Sequence, residues 1–427
     1  MKPTHLSKRF VLILFLIQAA VFLVFSQNSV SLPDLYAAIE KNHPYQRLAA
    51  IAKSTEENQR KINALSRIPQ ASFLGQASWQ SDVTEIPVIL PGLDIPGQPQ
   101  DQYRALLELS QLIYDGGQRK AQDEQSFRAY DMDLAGTQVM IHQLKEQVCK
   151  TYFNIVLADL SIRQWALLAE DLEKKSTRLN NQIREGMAAG YQDAALQIKI
   201  RETNQAILEI KKQKENALAS LELLTGIALD SSMRFVPGLS PEDLAGTRPE
   251  LALFEAQRKY QGASFTLSQT RFQPKVQLFG QLGYGRPGLN VLSDEFKPYT
   301  ILGLKWQWNL QNLYSRQGQR EKNLLQAGLD KIKVNEESFN LQEQVRIRAQ
   351  ETEIEHLDRL LLEDEAVISL HERVLKSSEA QLETGVATVN EYATDANNLT
   401  QARIKRDMHQ IQRLQSKELL NLIHGKL

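Results

Sequence analysis

The side chains able to do chemistry are few, and their spacing does not suit it. Seven histidines stand at 5, 43, 142, 356, 371, 409 and 424, without the regular separations that metal ligands keep. His142 and Cys149 lie two turns apart on one predicted helix and share a face, but two ligands lacking a third make a poor metal site. Cys149 is the only cysteine, which excludes a disulfide framework or a cysteine-rich cluster, and it reads as a buried or seam residue. Glu363, Asp364 and Glu365 cluster as acid–base carboxylates do, yet on a long polar helix they read as a solvated face. The sequence holds no glycine-rich phosphate loop, no nucleophile elbow and no His-Glu-x-x-His pair. Neither an enzyme nor a bound cofactor is expected.

The bulk composition narrows the field further. The 427 residues carry 50 basic and 51 acidic side chains, for a net charge of −1. A nucleic-acid binder needs a basic excess to meet phosphate, and none is present. At 42% hydrophobic residues the chain should fold, while a mean hydropathy of −0.37 is too polar for a helical polytopic membrane protein. Lys2, Lys8 and Arg9 precede an apolar run from Phe10 to Phe25. That run is short for a spanning helix and suits a secretory signal, residues 1–26, cleaved after Ser26. No cysteine lies near the cleavage point, so N-terminal acylation is not expected.

Proline and glycine mark the elements. All 14 prolines fall at positions 1–99 or 237–298, leaving 100–236 and 299–427 without one. Proline costs about 3 kcal/mol inside a helix, so the two proline-free stretches read as helical. Between Gly117 and Gly186 stand 68 residues interrupted by one glycine, Gly136, enough for roughly 100 Å of helix at about 1.5 Å per residue. The apolar stripe Ile141, Leu144, Val148, Tyr152, Ile155 is narrow, as in coiled-coil packing, with broad polar faces beside it.

The chain also repeats itself. Pro69-Gln-Ala-Ser-Phe-Leu-Gly75-Gln76 matches Pro274-Lys-Val-Gln-Leu-Phe-Gly280-Gln281, and Pro44 matches Pro249 at the same offset of 205. Gly117-Gln-Arg119 matches Gly318-Gln-Arg320, Gln182–Gly186 matches Gln381–Gly385, and Leu223–Gly226 matches Leu422–Gly425. Five matches in chain order indicate a duplicated half-unit. The first repeat spans 27–236, with a helix, strands near 70–80 and 103–113, and long helices 117–185 and 191–226. The second spans 237–427, with a helix, strands near 274–285 and 299–309, and long helices 318–384 and 389–424.

The strands are read from alternation with period two. Phe73, Gly75, Ala77 and Trp79 oppose Ser72, Gln76, Ser78 and Gln80, and Leu302, Leu304, Trp306 and Trp308 oppose Gly303, Lys305 and Gln307. Lengths of about 9–11 residues suit tilted membrane strands, although a half-buried soluble sheet alternates in the same way. Four strands cannot close in lipid, where unpaired backbone groups cost several kcal/mol each. Closure must therefore be shared between copies. Three copies give twelve strands and a conduit, whereas an eight-stranded barrel fills with side chains. The fold class expected is mainly α with a small β part: long antiparallel helices in a trimeric α-barrel plus a 12-stranded transmembrane β-barrel. The alternative is a secreted periplasmic coiled-coil scaffold without channel activity.

The order of elements, and five segments within it, carry a resemblance to a known family. The segments are Leu32–Pro44, Tyr114-Asp-Gly-Gly-Gln-Arg-Lys-Ala121, Arg248-Pro-Glu-Leu251, Gly385-Val-Ala-Thr-Val-Asn-Glu-Tyr392 and Leu399-Thr-Gln-Ala402. Together they resemble the TolC-type outer-membrane efflux proteins over nearly the whole mature chain. The resemblance implies a homotrimer in outer-membrane lipid that extends into the periplasm. It implies a passive exit duct for efflux or type I secretion, joined through a periplasmic adaptor to an inner-membrane transporter. The helical turns, with Gly186, Ala189 and Asp193 in one and Gly385, Val386 and Thr388 in the other, are then the adaptor-contacting tips. Glu391 stands where members carry an acidic gate residue. Thr394 occupies the second acidic position, with Asp395 just after it, and Ala387 takes the place of a gate arginine. On a three-fold axis Glu391 would become a ring of carboxylates whose mutual repulsion raises their pKa values and draws cations.

Overall fold

The protein is described from a computed structural model that covers residues 29–84, 98–186, 189–240, 248–290 and 293–426. The segment 1–26, read as a signal peptide, lies outside the described residues, as does much of the proline-bearing loop 81–102.

Among the described residues the chain runs β1 (Ser29–Val30), α1 (Leu32–Asn42), α2 (Gln46–Ala64), β2 (Gln70–Trp79), β3 (Asp101–Tyr114), α3 (Gln118–Arg184) and α4 (Gly190–Thr225). It continues with β4 (Arg234–Phe235), α5 (Pro249–Gln269), β5 (Lys275–Arg286), β6 (Lys297–Gln307), α6 (Gln311–Ser315), α7 (Gln317–Glu383) and α8 (Val389–Ile423). The fold class is mainly α with a small β part. Helices α3 and α7 each hold 67 residues, or roughly 100 Å of helix. The chain forms two compact units. One takes the described parts of 1–47, 136–252 and 337–427, and the other 48–135 and 253–336.

The second unit carries one antiparallel sheet in the order β2-β3-β5-β6. Its register stacks like on like: Phe73, Leu107 and Leu282 stand in one row, and Ala71, Leu109, Gly280 and Leu302 in another. This face is apolar and bare, with Phe73, Leu302 and Leu304 75%, 76% and 71% exposed. The opposite face is polar, relieved by two aromatic rings that need glycine across the strand. The Tyr299 ring fills the space where Gly283 would carry a Cβ, and the Phe279 ring does the same at Gly303. Among the described residues β2 and β6 each pair on one side only. The strand expected to reach 309 stops at Gln307, because Trp308 turns its indole N–H to the Phe272 carbonyl at 3.0 Å and α6 follows.

The first unit is a helical body whose core surrounds α3. Ile141, Leu144, Val148, Tyr152 and Ile155 are all buried, packed with Leu32, Leu35, Ile39, Leu221 and Leu422. Cys149 is fully buried, which pushes its thiol pKa up. The Tyr152 hydroxyl lies 2.6 Å from the Val236 carbonyl and 3.1 Å from that of Val30. It thereby pins the parallel β1–β4 pair. Glu418 is wholly buried, and its carboxylate accepts from the Ser240 N–H at 3.0 Å and hydroxyl at 2.5 Å, so its desolvation is met by donors.

The motif Arg248-Pro-Glu-Leu251 builds a second buried network. Arg248 grips Glu250 with two bonds of 3.0 Å, pairs with Glu343 at 3.3 Å and stacks on Phe339. Its Nη1 reaches the Leu422 and Ile423 carbonyls at 3.3 Å, satisfying the otherwise unpaired end of α8. The same nitrogen meets His142 Nε2 at 3.2 Å. A guanidinium only donates, so His142 accepts and is neutral. Burial and then Arg248 push the His142 pKa down to about 4 from 6.5. The unfolded chain therefore binds the proton more readily, and stability is whole above pH 6.5 and falls as pH drops toward 4. The loss should approach about 3 kcal/mol at and below pH 4. Thermal unfolding of the detergent-purified protein from pH 7.5 to 4 checks this. His142→Gln should flatten the curve across that window, and an unchanged curve would refute the assignment.

Candidate functional site: the two helix turns

The turns joining α3 to α4 and α7 to α8 belong to the first unit. Each long helix ends on a glycine in the left-handed region, Gly186 at φ 73° and Gly385 at φ 74°. There the lack of a Cβ lets the last carbonyls be closed off. Gly385 N–H bonds to Leu382 O at 3.2 Å and Val386 N–H to Gln381 O at 2.9 Å. Gly186 N–H bonds to Ile183 O at 3.1 Å. Val386 is exposed, and so are Gly186, Gly385, Ala189 and Thr388. Ala189 is the N-cap of α4, and Thr388 is the N-cap of α8.

Glu391 is exposed and tied to its own helix. Its Oε2 accepts the Thr388 backbone N–H at 2.7 Å, while the Thr388 hydroxyl accepts the Glu391 N–H at 3.2 Å, a reciprocal capping box. The Thr388 N–H holds its carboxyl below the usual range, opposite to what mutual repulsion in a ring would do. Thr394 is exposed and turns its hydroxyl back to the Asn390 carbonyl at 2.8 Å. Asp395 is half-buried and accepts the Ser378 hydroxyl across the α7–α8 hairpin. Asp193 does the same with Ser176 at 3.2 Å across the α3–α4 hairpin. Glu391 and Asp395 are thus each bonded locally, and with Thr394 they stand at i, i+3 and i+4 in the first two turns of α8.

The strongest contacts near the turns involve residues that sequence reasoning missed. Tyr392 is buried beneath its hairpin, and its hydroxyl donates to Asp171 of α3 at 2.7 Å. Lys175 lies over the Tyr392 ring, 4.6 Å from its centroid, and pairs with Glu379 of α7 at 2.5 Å. Burial first, then Asp171, pushes the Tyr392 pKa up, so the phenol stays protonated and donating. These contacts strap α3 to both members of the α7–α8 hairpin. They sit over a shared apolar cluster of Leu168, Leu172, Leu179, Leu196, Val389 and Ala396. The available sequence signal was Asp171 and Lys175 one turn apart on a helix read as a narrow apolar stripe between broad polar faces.

A second correction concerns the carboxylate run on α7. Glu363 and Glu365 are exposed, as a solvated face requires, but Asp364 is buried and meets His409 of α8 at 2.5 Å. It belongs to a series of pairs that sets the α7–α8 register: Arg403–Glu372 at 2.7 Å, Arg406–Glu365 at 3.0 Å and Arg413–Asp358. The exposed members contribute little energy each, so alignment is their main effect.

No protein-family model matches the sequence, and no curated protein matches it. Solved structures do. The Campylobacter jejuni CmeC outer membrane channel aligns with a TM-score of 0.65 and 17% identity over 92% of this chain and 85% of that one. VceC, an outer membrane protein of Vibrio cholerae, aligns at 0.63 and 13%, covering 92% and 95%. The open state of the Neisseria gonorrhoeae MtrE outer membrane channel aligns at 0.63 and 16%, covering 93% and 89%. This chain therefore has the fold of bacterial outer-membrane channels, the architecture its sequence resemblance implies.

Proposed function

We propose that this chain, having the fold of outer-membrane channels, is one copy of a homotrimeric export duct in the bacterial outer membrane. The observation that carries the reading is the four-stranded sheet. One face is exposed, apolar and free of charge over residues 71–79, 103–109, 276–284 and 298–306 (taking alternate positions), and both edge strands lack a partner among the described residues. Such a sheet in water is an aggregation template. In lipid its edges must be paired. Three copies joined edge to edge satisfy both demands with twelve strands. A secreted scaffold would leave the same face wet, and no feature of the fold favours it.

The finer points belong to the same reading. Residues 1–26 direct export, the chain carries no N-terminal acyl group, and 27–236 and 237–427 are repeats of one unit. The turns bearing Gly186, Ala189, Asp193, Gly385, Val386 and Thr388 form the periplasmic end that meets an adaptor protein, which in turn links an inner-membrane transporter. Glu391, Thr394 and Asp395 line its constriction. Transport through the duct is passive and needs no catalytic group.

Native mass spectrometry of the protein extracted from washed outer membranes tests the core of this. Three copies are expected. A monomer would sink the reading, since four strands cannot seal in lipid.

A further inference from the structure

The polar face of the sheet is charged in a lopsided way. Strand register orders it into rows. Gln76, Arg104, Gly285 and Lys297 stand in one row, Ser72, Glu108, Gln281 and Ile301 in a second, and Gln277 with Lys305 in a third, beside Lys275 and Gln307. Five charged side chains therefore share this face: Arg104, Lys275, Lys297 and Lys305 against Glu108.

Their partners decide what remains. Lys297 is neutralised by Glu295 at 2.9 Å. Beyond the alternation, at the loop end, Arg286 is neutralised by Asp101 and Asp294 at 3.2 and 2.6 Å. Arg104 and Lys305 are exposed and meet no carboxylate among the described residues. Lys275 spends one hydrogen bond on the amide oxygen of Gln118 at 2.6 Å, a neutral partner. Among the described residues Glu108 accepts only from the Gln281 amide, at 2.6 Å. Among the described residues, three uncompensated cations and one carboxylate leave this face with two net positive charges per copy. Wetting the face does not require them, because Gln70, Gln76, Gln102, Gln277 and Gln307 supply uncharged polarity along the same strands.

We infer that this face, as the wall of the membrane-spanning lumen, makes the duct favour anionic solutes over cationic ones. The inference rests on the export-duct reading, which turns the apolar face to lipid and the polar face inward. Three-fold symmetry converts Arg104 into one ring of cations, and Lys275 with Lys305 into another. The Arg104 and Lys305 rows lie eight residues apart along β3, from Arg104 to Leu112, or roughly 27 Å at about 3.4 Å per residue. That exceeds the Debye length of about 8–10 Å at physiological salt, so each ring acts by itself and both weaken as salt rises. A lumen wall of one sign concentrates counter-ions of the other, here anions. The acidic residues of the helix turns lie on another part of the chain and bias cations, so the barrel's contribution is read as a difference between variants.

The purified trimer in planar bilayers, under a potassium chloride gradient at low salt, tests this. The triple variant Arg104→Gln, Lys275→Gln, Lys305→Gln should lower the chloride-to-potassium permeability ratio about threefold. The difference should vanish near molar salt, and Arg104→Lys, Lys275→Arg, Lys305→Arg should keep the wild-type ratio. Should the triple variant fail to insert, the single Arg104→Gln and Lys305→Gln changes, both at exposed positions, should move the ratio the same way in smaller steps. A conducting trimer whose ratio is the same in wild type and glutamine variants overturns the inference and leaves the export reading standing. A protein that is not trimeric or does not conduct overturns both.

Discussion

On the export-duct reading, placing arginine at Leu302 and Leu304 together should remove this protein from the outer membrane. Both side chains stand more than two-thirds exposed on the apolar face of β6, opposite Gly280 and Leu278 of β5. An arginine on the lipid face of a barrel costs about 2–4 kcal/mol near the bilayer midplane. Two per chain, in three chains, come to about 12–24 kcal/mol, comparable to or above the whole stability of an ordinary fold, about 5–15 kcal/mol. The expected result is loss of nearly all protein from the alkali-washed outer-membrane fraction, read by immunoblot against total protein. Gln277→Arg, in the row next to that of Leu304 but on the polar face, should leave that fraction unchanged. The contrast separates lipid from water as the solvent of this face. On a soluble sheet the two arginines would be harmless or would improve solubility, so equal retention of both variants would refute a membrane location.

Tyr392→Phe should open the helix-turn end without unfolding it. The phenol gives one hydrogen bond to a carboxylate, Asp171, under a buried ring. Such a bond contributes about 2 kcal/mol, which is about thirtyfold in a closed-to-open ratio. Lys175→Met should act in the same direction, because it releases Glu379 on α7 and removes the cation over the ring. Single-channel recording reads the open fraction, and differential scanning calorimetry reads stability. The apolar cluster beneath the strap is untouched, so the unfolding temperature should move by only a few degrees. An open fraction equal to wild type in both variants would show that the strap does not hold the turns closed.

How far the sequence reaches depends on the range of the force involved. Proline and glycine act on their own residue and the turn before it. Their placement therefore exposed the long helices, and the glycines at 186 and 385 marked their ends. Period-two alternation is equally local, and it showed the apolar face of the sheet before any strand was paired. The Arg248-Pro-Glu-Leu251 motif was visible too, but nothing in it announced His142, more than a hundred residues earlier, or the carbonyl end of α8 as its partners.

What the sequence by itself determined about this protein is the class of its elements and the faces they present. Those follow from backbone propensity and from the separation of apolar and polar side chains, which each residue carries with it. Only the tertiary structure decided which charged residues are solvated and which are bound. Asp364 looked like its neighbours Glu363 and Glu365 until α8 brought His409 against it. Tyr392 was only the last residue of a turn motif until Asp171 and Lys175 met it from a helix more than two hundred residues away in sequence. The physical reason is that a polar group's energy depends on whether burial leaves it a partner, and packing supplies that partner from remote parts of the chain.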